Sequence, residues 1–354
     1  MTSTRKIMLA GTVIAASAAI TVTWLFHHAP SFRPGDNKPL SAVEPQAGPP
    51  ATVRQGIPTE LAASSVQPRD ASLLTSDSCP LTPNLQTLLG LTDPTDLDGR
   101  RAALRTLTRH LATNDIAALL AFLEQPPGDY QRLKPLQYNA IRNDILDVLV
   151  RQDRPVPGLG ARMAAMFRNT AQDDLWRDYC IQYFAPYYAA AWPAGEGGNA
   201  AEDGKPAKLD PARREIVDAY WEAVARPDKT FAGTALLGME RLSREYKEFD
   251  RERIAGTALT LASDENTGEA TRITALRICG LMKQAGALET ARIVVQTGAT
   301  FPLRLAAIAT LGDLGDRRDR EYLQALATVE GARFKPAIER AAKAIQDREG
   351  HDHG

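Results

Sequence analysis

The hydrophobic residues of this chain follow two patterns, one continuous and one periodic. Residues 7–26 form an unbroken run without a charged side chain. From residue 79 onward, apolar residues instead recur at steps of three and four, as in Ile116, Leu119 and Leu123. This spacing places them on one face of a helix. Because no segment alternates apolar and polar residues with β-branched enrichment, we predict no strands and an all-α body over residues 79–348.

The continuous run predicts a membrane anchor within residues 1–28. A helix of this length spans ~30 Å at ~1.5 Å per residue, which matches the hydrocarbon thickness of a bilayer. Arg5 and Lys6 precede the run. The N-terminus is therefore expected in the cytoplasm and the body in the periplasm, with one crossing of a bacterial inner membrane. The alternative is a cleaved signal peptide, which would leave the body periplasmic or secreted; the small residues 15–19 resemble a cleavage site but lie inside the apolar run rather than after it.

Residues 29–78 are predicted to be a disordered linker. The segment contains eight prolines and a single aromatic residue, Phe32. Such a composition cannot bury enough apolar surface to offset the entropy of an ordered chain. A flexible coil of ~50 residues reaches at least ~40 Å, so the linker is expected to hold the body away from the membrane. The polar tail at residues 349–354 is also predicted to be disordered.

A short pattern repeats within the body. An arginine is followed by alanine three residues later, an aliphatic residue four later and an apolar residue seven later. The pattern begins at Arg272 and returns at nearly equal intervals, first at Arg304 and then, without the arginine, at Ile338. An earlier copy begins at Arg100. Since a second helix fits between copies, each repeat is a helix pair that must stack on its neighbours, which predicts an α-solenoid.

Residues 269–347 resemble bacterial HEAT repeats of the short, phycobilisome-lyase-like type. The resemblance lies in the Arg-x-x-Ala-Leu pattern and in a Leu-Gly-Asp ending, here residues 311–313. It implies an armadillo-like stack of helical hairpins. Some HEAT-like proteins are metal-dependent hydroxylases that use repeated His-Glu pairs, but this chain has no His-Glu dipeptide. The resemblance therefore supports a fold more than a function.

The segment 174–192 is unusually rich in aromatic residues. On a helix, one face would carry five large or apolar side chains, which are Trp176, Tyr179, Cys180, Tyr183 and Tyr187. That stripe is either part of the core or a surface for a partner peptide. Tyr188 and Trp192 lie partly off it, and Pro186 is expected to kink or end the helix. The predicted partner-binding residues are therefore Tyr187, Tyr188 and Trp192.

The three cysteines, Cys79, Cys180 and Cys279, form no Cys-x-x-Cys pair, so structural zinc is not expected. Export would permit oxidation, and a disulfide between Cys79 and Cys180 could hold the start of the body. Cys279 replaces a leucine of the repeat and is predicted to be a buried free thiol.

Charge and motif content exclude several function classes. The 42 basic and 43 acidic residues nearly cancel, so no general attraction to nucleic acid is expected. No nucleophile elbow, Walker loop or dinucleotide fingerprint is present. The body has one histidine, His110, which we assign to a helix end rather than to catalysis. The chain is therefore predicted to be neither an enzyme nor a metal- or cofactor-binding protein.

The function that these features favour is a membrane-anchored scaffold or adaptor that binds a protein or peptide. One alternative is a lyase-like accessory protein that handles a chromophore or cofactor, for which Cys180 would have to be reactive. Another is a structural envelope protein that associates with itself. The sequence does not set the oligomeric state.

Overall fold

A computed structural model describes residues 81–90, 96–125, 133–194, 209–297, 299–329 and 333–351. These residues form fourteen helices and no strand, which confirms the predicted all-α class. Within the described ranges, no helix has the length and apolar character needed to cross a bilayer. The predicted anchor, linker and terminal tail lie outside these ranges, apart from residues 349–351 of the tail, which belong to the last helix.

The helices follow one another through short connections. In chain order they are α1 Pro83–Leu88, α2 Leu97–Arg105, α3 Thr113–Glu124, α4 Pro135–Val150, α5 Leu159–Arg168, α6 Asp174–Ala191, α7 Pro211–Val224, α8 Thr230–Leu242, α9 Arg251–Ser263, α10 Glu269–Leu281, α11 Ala287–Gln296, α12 Phe301–Leu314, α13 Arg317–Val329 and α14 Lys335–His351. Several begin at a side chain that accepts a hydrogen bond from the first turn; the capping residues are Thr82, Asp96, Asp173, Asp210 and Asp250.

The helices are arranged in two layers. Each even-numbered helix packs against the next even-numbered helix from α2 to α14, and we call this row the even layer. The odd-numbered helices form a second row, the odd layer, and each packs against the even helix that follows it. Among the described odd helices, close packing is confined to α5 with α7 and α9 with α11. The hydrophobic core lies between the layers.

The structure fixes which helices form each pair. The sequence pattern placed a second helix after each arginine-containing helix, and α11 and α13 are those helices. However, α11 packs far more extensively on α12 than on α10, and α13 does so on α14 rather than α12. Periodicity along the chain cannot distinguish these two pairings, because it reports only the spacing of the helices.

The repeated arginine has a structural role in the described helices. At the end of an α-helix, the last carbonyl groups lack partners within the helix. In four repeats, an arginine of the even layer donates to such a carbonyl at the end of the preceding odd helix. The pairs are Arg100 Nε with Leu88 O (2.7 Å), Arg142 Nη2 with Leu123 O (2.8 Å), Arg177 Nε with Phe167 O (2.7 Å) and Arg272 Nε with Ala262 O (3.3 Å).

Aromatic rings connect these arginines along the even layer. The Arg142 guanidinium of α4 lies 3.6 Å from the ring centroid of Trp176 in α6. The Arg177 guanidinium of α6 lies 4.9 Å from the ring of Phe231 in α8. A cation over an aromatic face is attracted by the ring quadrupole. Arg142 and Arg177 therefore each join the two layers and also contact the next repeat.

Helix α2 is shorter than its apolar pattern suggested. The repeat copy that begins at Arg100 extends seven residues to Leu107, but the helix ends at Arg105. The buried side chain of Gln152 accounts for this end: it accepts from the Leu111 amide at 2.9 Å and donates to the Thr108 carbonyl at 3.2 Å. The same loop carries His110, which is exposed and paired with Asp153 rather than seated at a helix end.

Candidate functional site

Helix α6 places most of the predicted aromatic stripe in the core. Trp176, Cys180, Tyr183 and Tyr187 are all buried, whereas Tyr179 is only partly covered. The core interpretation of the stripe is therefore correct for four of its five members. Pro186 neither ends nor interrupts α6, which continues to Ala191. Its ring removes one backbone donor, but the buried residues that follow it hold the last turn in place.

Tyr187 and Tyr188 do not form an exposed surface. Their exposed fractions are 5% and 0%, so the expectation that Tyr188 leaves the buried stripe is wrong. The Tyr187 hydroxyl donates to the Val156 carbonyl at 3.1 Å. The Tyr188 ring contacts Tyr246 and Phe249 edge to face, with centroids 5.0 and 5.3 Å away. These partners come from the segment between α8 and α9, which a helical wheel of α6 does not include.

A charged network surrounds the Tyr188 hydroxyl. This hydroxyl donates to Glu248, and it accepts from Arg213 Nε at 2.8 Å. Arg213 also forms an ion pair with Glu248 in largely buried surroundings. Burial, with the hydrogen bond to Glu248, raises the pKa of Tyr188, so the phenol keeps its proton at neutral pH. The network joins α6, α7 and the α8–α9 loop, and its three side chains satisfy one another.

Trp192 lies at the edge of this cluster, just past the end of α6. Its side chain is partly exposed, its ring lies 5.0 Å from that of Tyr188, and its carbonyl accepts from the Tyr246 hydroxyl at 3.0 Å. Of the three predicted partner-binding residues, Trp192 alone reaches the surface in this structure. Partner binding by Trp192 stays a prediction.

Replacement of Tyr188 by phenylalanine tests the network. We expect the free energy of unfolding to fall by about 1–2 kcal/mol, because the ring contacts remain while Glu248 loses a donor in largely buried surroundings. The measurement is chemical denaturation followed by circular dichroism. Tyr322→Phe is the control, since Tyr322 is partly exposed and a hydroxyl there should contribute no more than about 0.5 kcal/mol. Equal effects of the two replacements would contradict the assignment.

The two cysteines that the structure describes are buried and are not bonded to each other. Cys180 and Cys279 are both 0% exposed, which confirms the prediction for Cys279. Burial raises the pKa of the Cys180 thiol and, to about 12, that of Cys279. A protonated, inaccessible thiol is a poor nucleophile. Cys79 lies outside the described residues, so its pairing with Cys180 stays a prediction.

Alkylation distinguishes a buried thiol from a reactive one. We expect iodoacetamide to leave Cys180 and Cys279 unmodified in the native protein and to modify both once the reduced chain is denatured. Peptide mass mapping provides the readout. Rapid native modification of Cys180 would instead favour the lyase-like alternative, which requires an accessible thiol.

The outward face of the even layer carries side chains that the sequence analysis did not single out. On α8, Leu237 is 43% exposed and Arg241 follows it at the next turn. On α10, Arg277 is followed by Leu281, which is 46% exposed. On each of the two helices, the two side chains lie five and nine residues after the first residue of the repeat pattern. These exposed positions could therefore be found from the sequence, but only if α8 is recognised as a further copy of the repeat pattern. In that copy, alanine stands at position 232 in place of the arginine.

The same face is acidic near the start of the layer. Asp144 of α4 and Asp178 of α6 both lie on it, beside the partly exposed Tyr179. Burial raises the pKa of Asp144, although Arg101 lies 3.7 Å away. Burial also raises the pKa of Asp178, which contacts the hydroxyl groups of α8. The outward face therefore carries two carboxylates at α4–α6, one of them beside Arg101, and leucine and arginine side chains at α8–α10.

Comparisons with family models, with curated proteins and with solved structures give no match for this chain. The resemblance of residues 269–347 to HEAT repeats therefore stays a prediction, based on the residues themselves and on the helix packing. Among the described residues, no three His, Cys, Asp or Glu side chains are grouped in a way that could hold a metal ion.

Proposed function

We propose that this protein is a membrane-tethered scaffold whose helical array binds a protein or peptide partner on the outer side of a bacterial inner membrane. The observation that carries the proposal is the outward face of the even layer, where Leu237 and Leu281 are each nearly half exposed. Aliphatic side chains at neighbouring positions of a helical array offer a partner apolar surface to bury. The helices hold these side chains in fixed positions, which lowers the entropic cost of binding.

The proposed architecture is an α-solenoid of HEAT-like hairpins. Two features of the described helices support it: pairs of helices repeat along the chain, and each pair packs mainly on its neighbours. The even helices from α2 to α14 pack on one another without interruption, whereas close packing between the described odd helices is found at two places. In a curved stack, the layer with the closer neighbours lies on the inside. The even layer is therefore the inner surface in this proposal, and solenoids commonly bind partners there.

The tether is the part of the proposal that comes from sequence. Residues 7–26 form the proposed membrane anchor. Residues 29–78 form the proposed flexible linker, whose length lets the helical array move within a volume next to the membrane. Cleavage of the first segment would release the array into the periplasm and leave the binding surface unchanged. The scaffold function needs no catalytic group, and the burial of Cys180 weighs against the lyase-like alternative.

Photocrosslinking at matched positions tests the function. A benzophenone amino acid is placed at Leu237 or Leu281 on the even layer, and at Ile293 on the odd layer, which is also 46% exposed. We expect irradiation of intact membranes to give a discrete crosslinked product from positions 237 and 281 and little from position 293. Equal products at all three positions, or none, would contradict binding through the even layer. Mass spectrometry of the product identifies the partner.

A further inference from the structure

The relative register of α8 and α10 follows from a close approach between them. A Cβ atom added to Gly233 would lie 3.0 Å from Thr274 Oγ1 and 3.4 Å from Thr271 Cα. Gly233 is therefore level with residues 271–274 of the neighbouring helix. The two helices are neighbours in the even layer and run in the same direction. One turn further along α8 is therefore level with one turn further along α10.

This register brings four side chains together in a quadrilateral. Leu237 is level with Arg277, and Arg241 is level with Leu281. Residues four apart on one helix are ~6 Å apart, and packed helices are ~8–10 Å apart. The four corners of this quadrilateral are therefore occupied alternately by leucine and arginine. We call these four residues the α8–α10 patch.

The charge of the α8–α10 patch is positive. Arg277 pairs with Asp313 at 3.3 Å, so that carboxylate is already engaged. Lys283 lies close by and donates to the Asp313 carbonyl at 2.9 Å. Arg241 is exposed, and no carboxylate of the described residues lies within ion-pair distance of it. Arg241, Arg277 and Lys283 therefore outnumber the Asp313 carboxylate beside the two exposed leucines, and the neighbouring Glu240 is paired with Arg244 at 2.8 Å.

We propose that the α8–α10 patch binds a segment of the partner protein in which aliphatic residues alternate with aspartate or glutamate. The inference rests on the proposed function and names the chemistry of the partner. An aliphatic side chain next to Leu237 or Leu281 removes apolar surface from water. A carboxylate next to Arg241 gains a charge-assisted, bidentate hydrogen bond that no carboxylate of the described residues provides.

The acidic end of the even layer adds a direction to this binding. Asp178 lies on the same face of α6, which packs against α8, and Asp144 lies on α4, one helix further along the even layer. Asp144 lies 3.7 Å from Arg101, whereas a carboxylate of the partner would meet Asp178 on α6 and Arg241 at the α8–α10 patch. Like-charge contacts disfavour the reversed orientation and thereby contribute specificity. The acidic part of the bound segment is therefore placed over α8–α10 rather than over α4–α6.

Selection from a random peptide library tests the proposal. A displayed library of dodecapeptides is selected on the immobilised full chain and, in parallel, on the Arg241→Glu variant. We expect the wild-type protein to enrich peptides with aliphatic residues and net negative charge. Synthetic versions of these peptides should bind the Arg241→Glu variant about tenfold or more weakly, as judged by fluorescence anisotropy, because a charge-assisted contact is lost.

Matched controls lie on the odd layer. Arg214→Glu makes the same charge change at an exposed site of α7, and Ile293→Ser parallels Leu281→Ser. Neither control should change the affinity more than about twofold, whereas Leu281→Ser should weaken it several-fold. Enriched peptides without a negative charge, or equal affinity for the Arg241→Glu variant, would overturn the proposal. If crosslinking from positions 237 and 281 still succeeds in that case, the scaffold function survives; if it also fails, both are wrong.

Discussion

Replacing Arg142 by alanine is expected to lower the free energy of unfolding by about 3 kcal/mol or more. Arg142 is 1% exposed, donates to the Leu123 carbonyl at 2.8 Å and to Gln172 Oε1 at 2.9 Å, and stacks on Trp176. Hydrogen bonds from a charged group contribute about 1.5–3 kcal/mol each, and a desolvated cation–π contact about 2 kcal/mol. These contributions overlap, so the expected loss is smaller than their sum. The measurement is urea denaturation of the purified full chain.

Arg105→Ala is the control for Arg142→Ala. Arg105 lies in the last turn of α2 with its side chain exposed to solvent. Its removal deletes the same atoms and the same charge, but it creates no cavity and leaves no buried carbonyl without a donor. We expect a change within about 0.5 kcal/mol. A small effect of Arg142→Ala, comparable to that of Arg105→Ala, would show that the arginines do not hold the layers together.

A leucine in place of Gly312 is expected to destabilise the protein by about 1–3 kcal/mol or more. A Cβ atom at this position would lie 2.9 Å from the Cα atom of Ala341 and 3.0 Å from its Cβ atom. Because the closest neighbour is backbone, the larger side chain can fit only if α12 and α14 move apart. The separation would expose Ile338 and Ile345 of α14, which are each 1% exposed. Thermal unfolding monitored by circular dichroism provides the readout.

The same replacement at Gly256 is expected to have the opposite effect on stability. Gly256 lies within α9, and nothing lies within 4 Å of a Cβ atom placed there. Leucine has the better helix propensity by about 0.5–1 kcal/mol, so Gly256→Leu should raise the melting temperature slightly. If the same substitution lowers stability at Gly312 and raises it at Gly256, the effect of packing is separated from the effect of helix propensity. A loss of stability at both sites would argue against the close α12–α14 contact.

The C-terminal third of the fold was predictable because its signals are local. The spacing of the repeat predicted a second helix between the copies, which α11 and α13 confirm, and the repeat pattern placed Cys279 in the core. The arginine copies at Arg142 and Arg177 were missed. In these copies Ile145 and Cys180 occupy the position where the pattern requires alanine. What recurs is the hydrogen bond from the arginine to a helix-end carbonyl, not the sequence motif around it.

The candidate site shows the limit of helical-wheel reasoning. A wheel correctly assigned Trp176 and Tyr183 to one face, because their spacing is a property of the helix alone. It could not show that Tyr246 and Phe249, which lie beyond two further helices along the chain, would cover Tyr188. Similarly, the segment around Pro186 stays helical because its neighbours pack against it, which outweighs the loss of one backbone donor.

The sequence by itself determined that the body is helical and that each helix has an apolar side, because both follow from the spacing of residues along one chain. The tertiary structure alone decided which helices pair, where the arginines donate, and that Leu237 and Leu281 stay exposed. The physical reason is that periodicity identifies a face that needs to be covered, whereas the element that covers it depends on contacts between residues distant in sequence. The exposed α8–α10 patch is a consequence of those contacts.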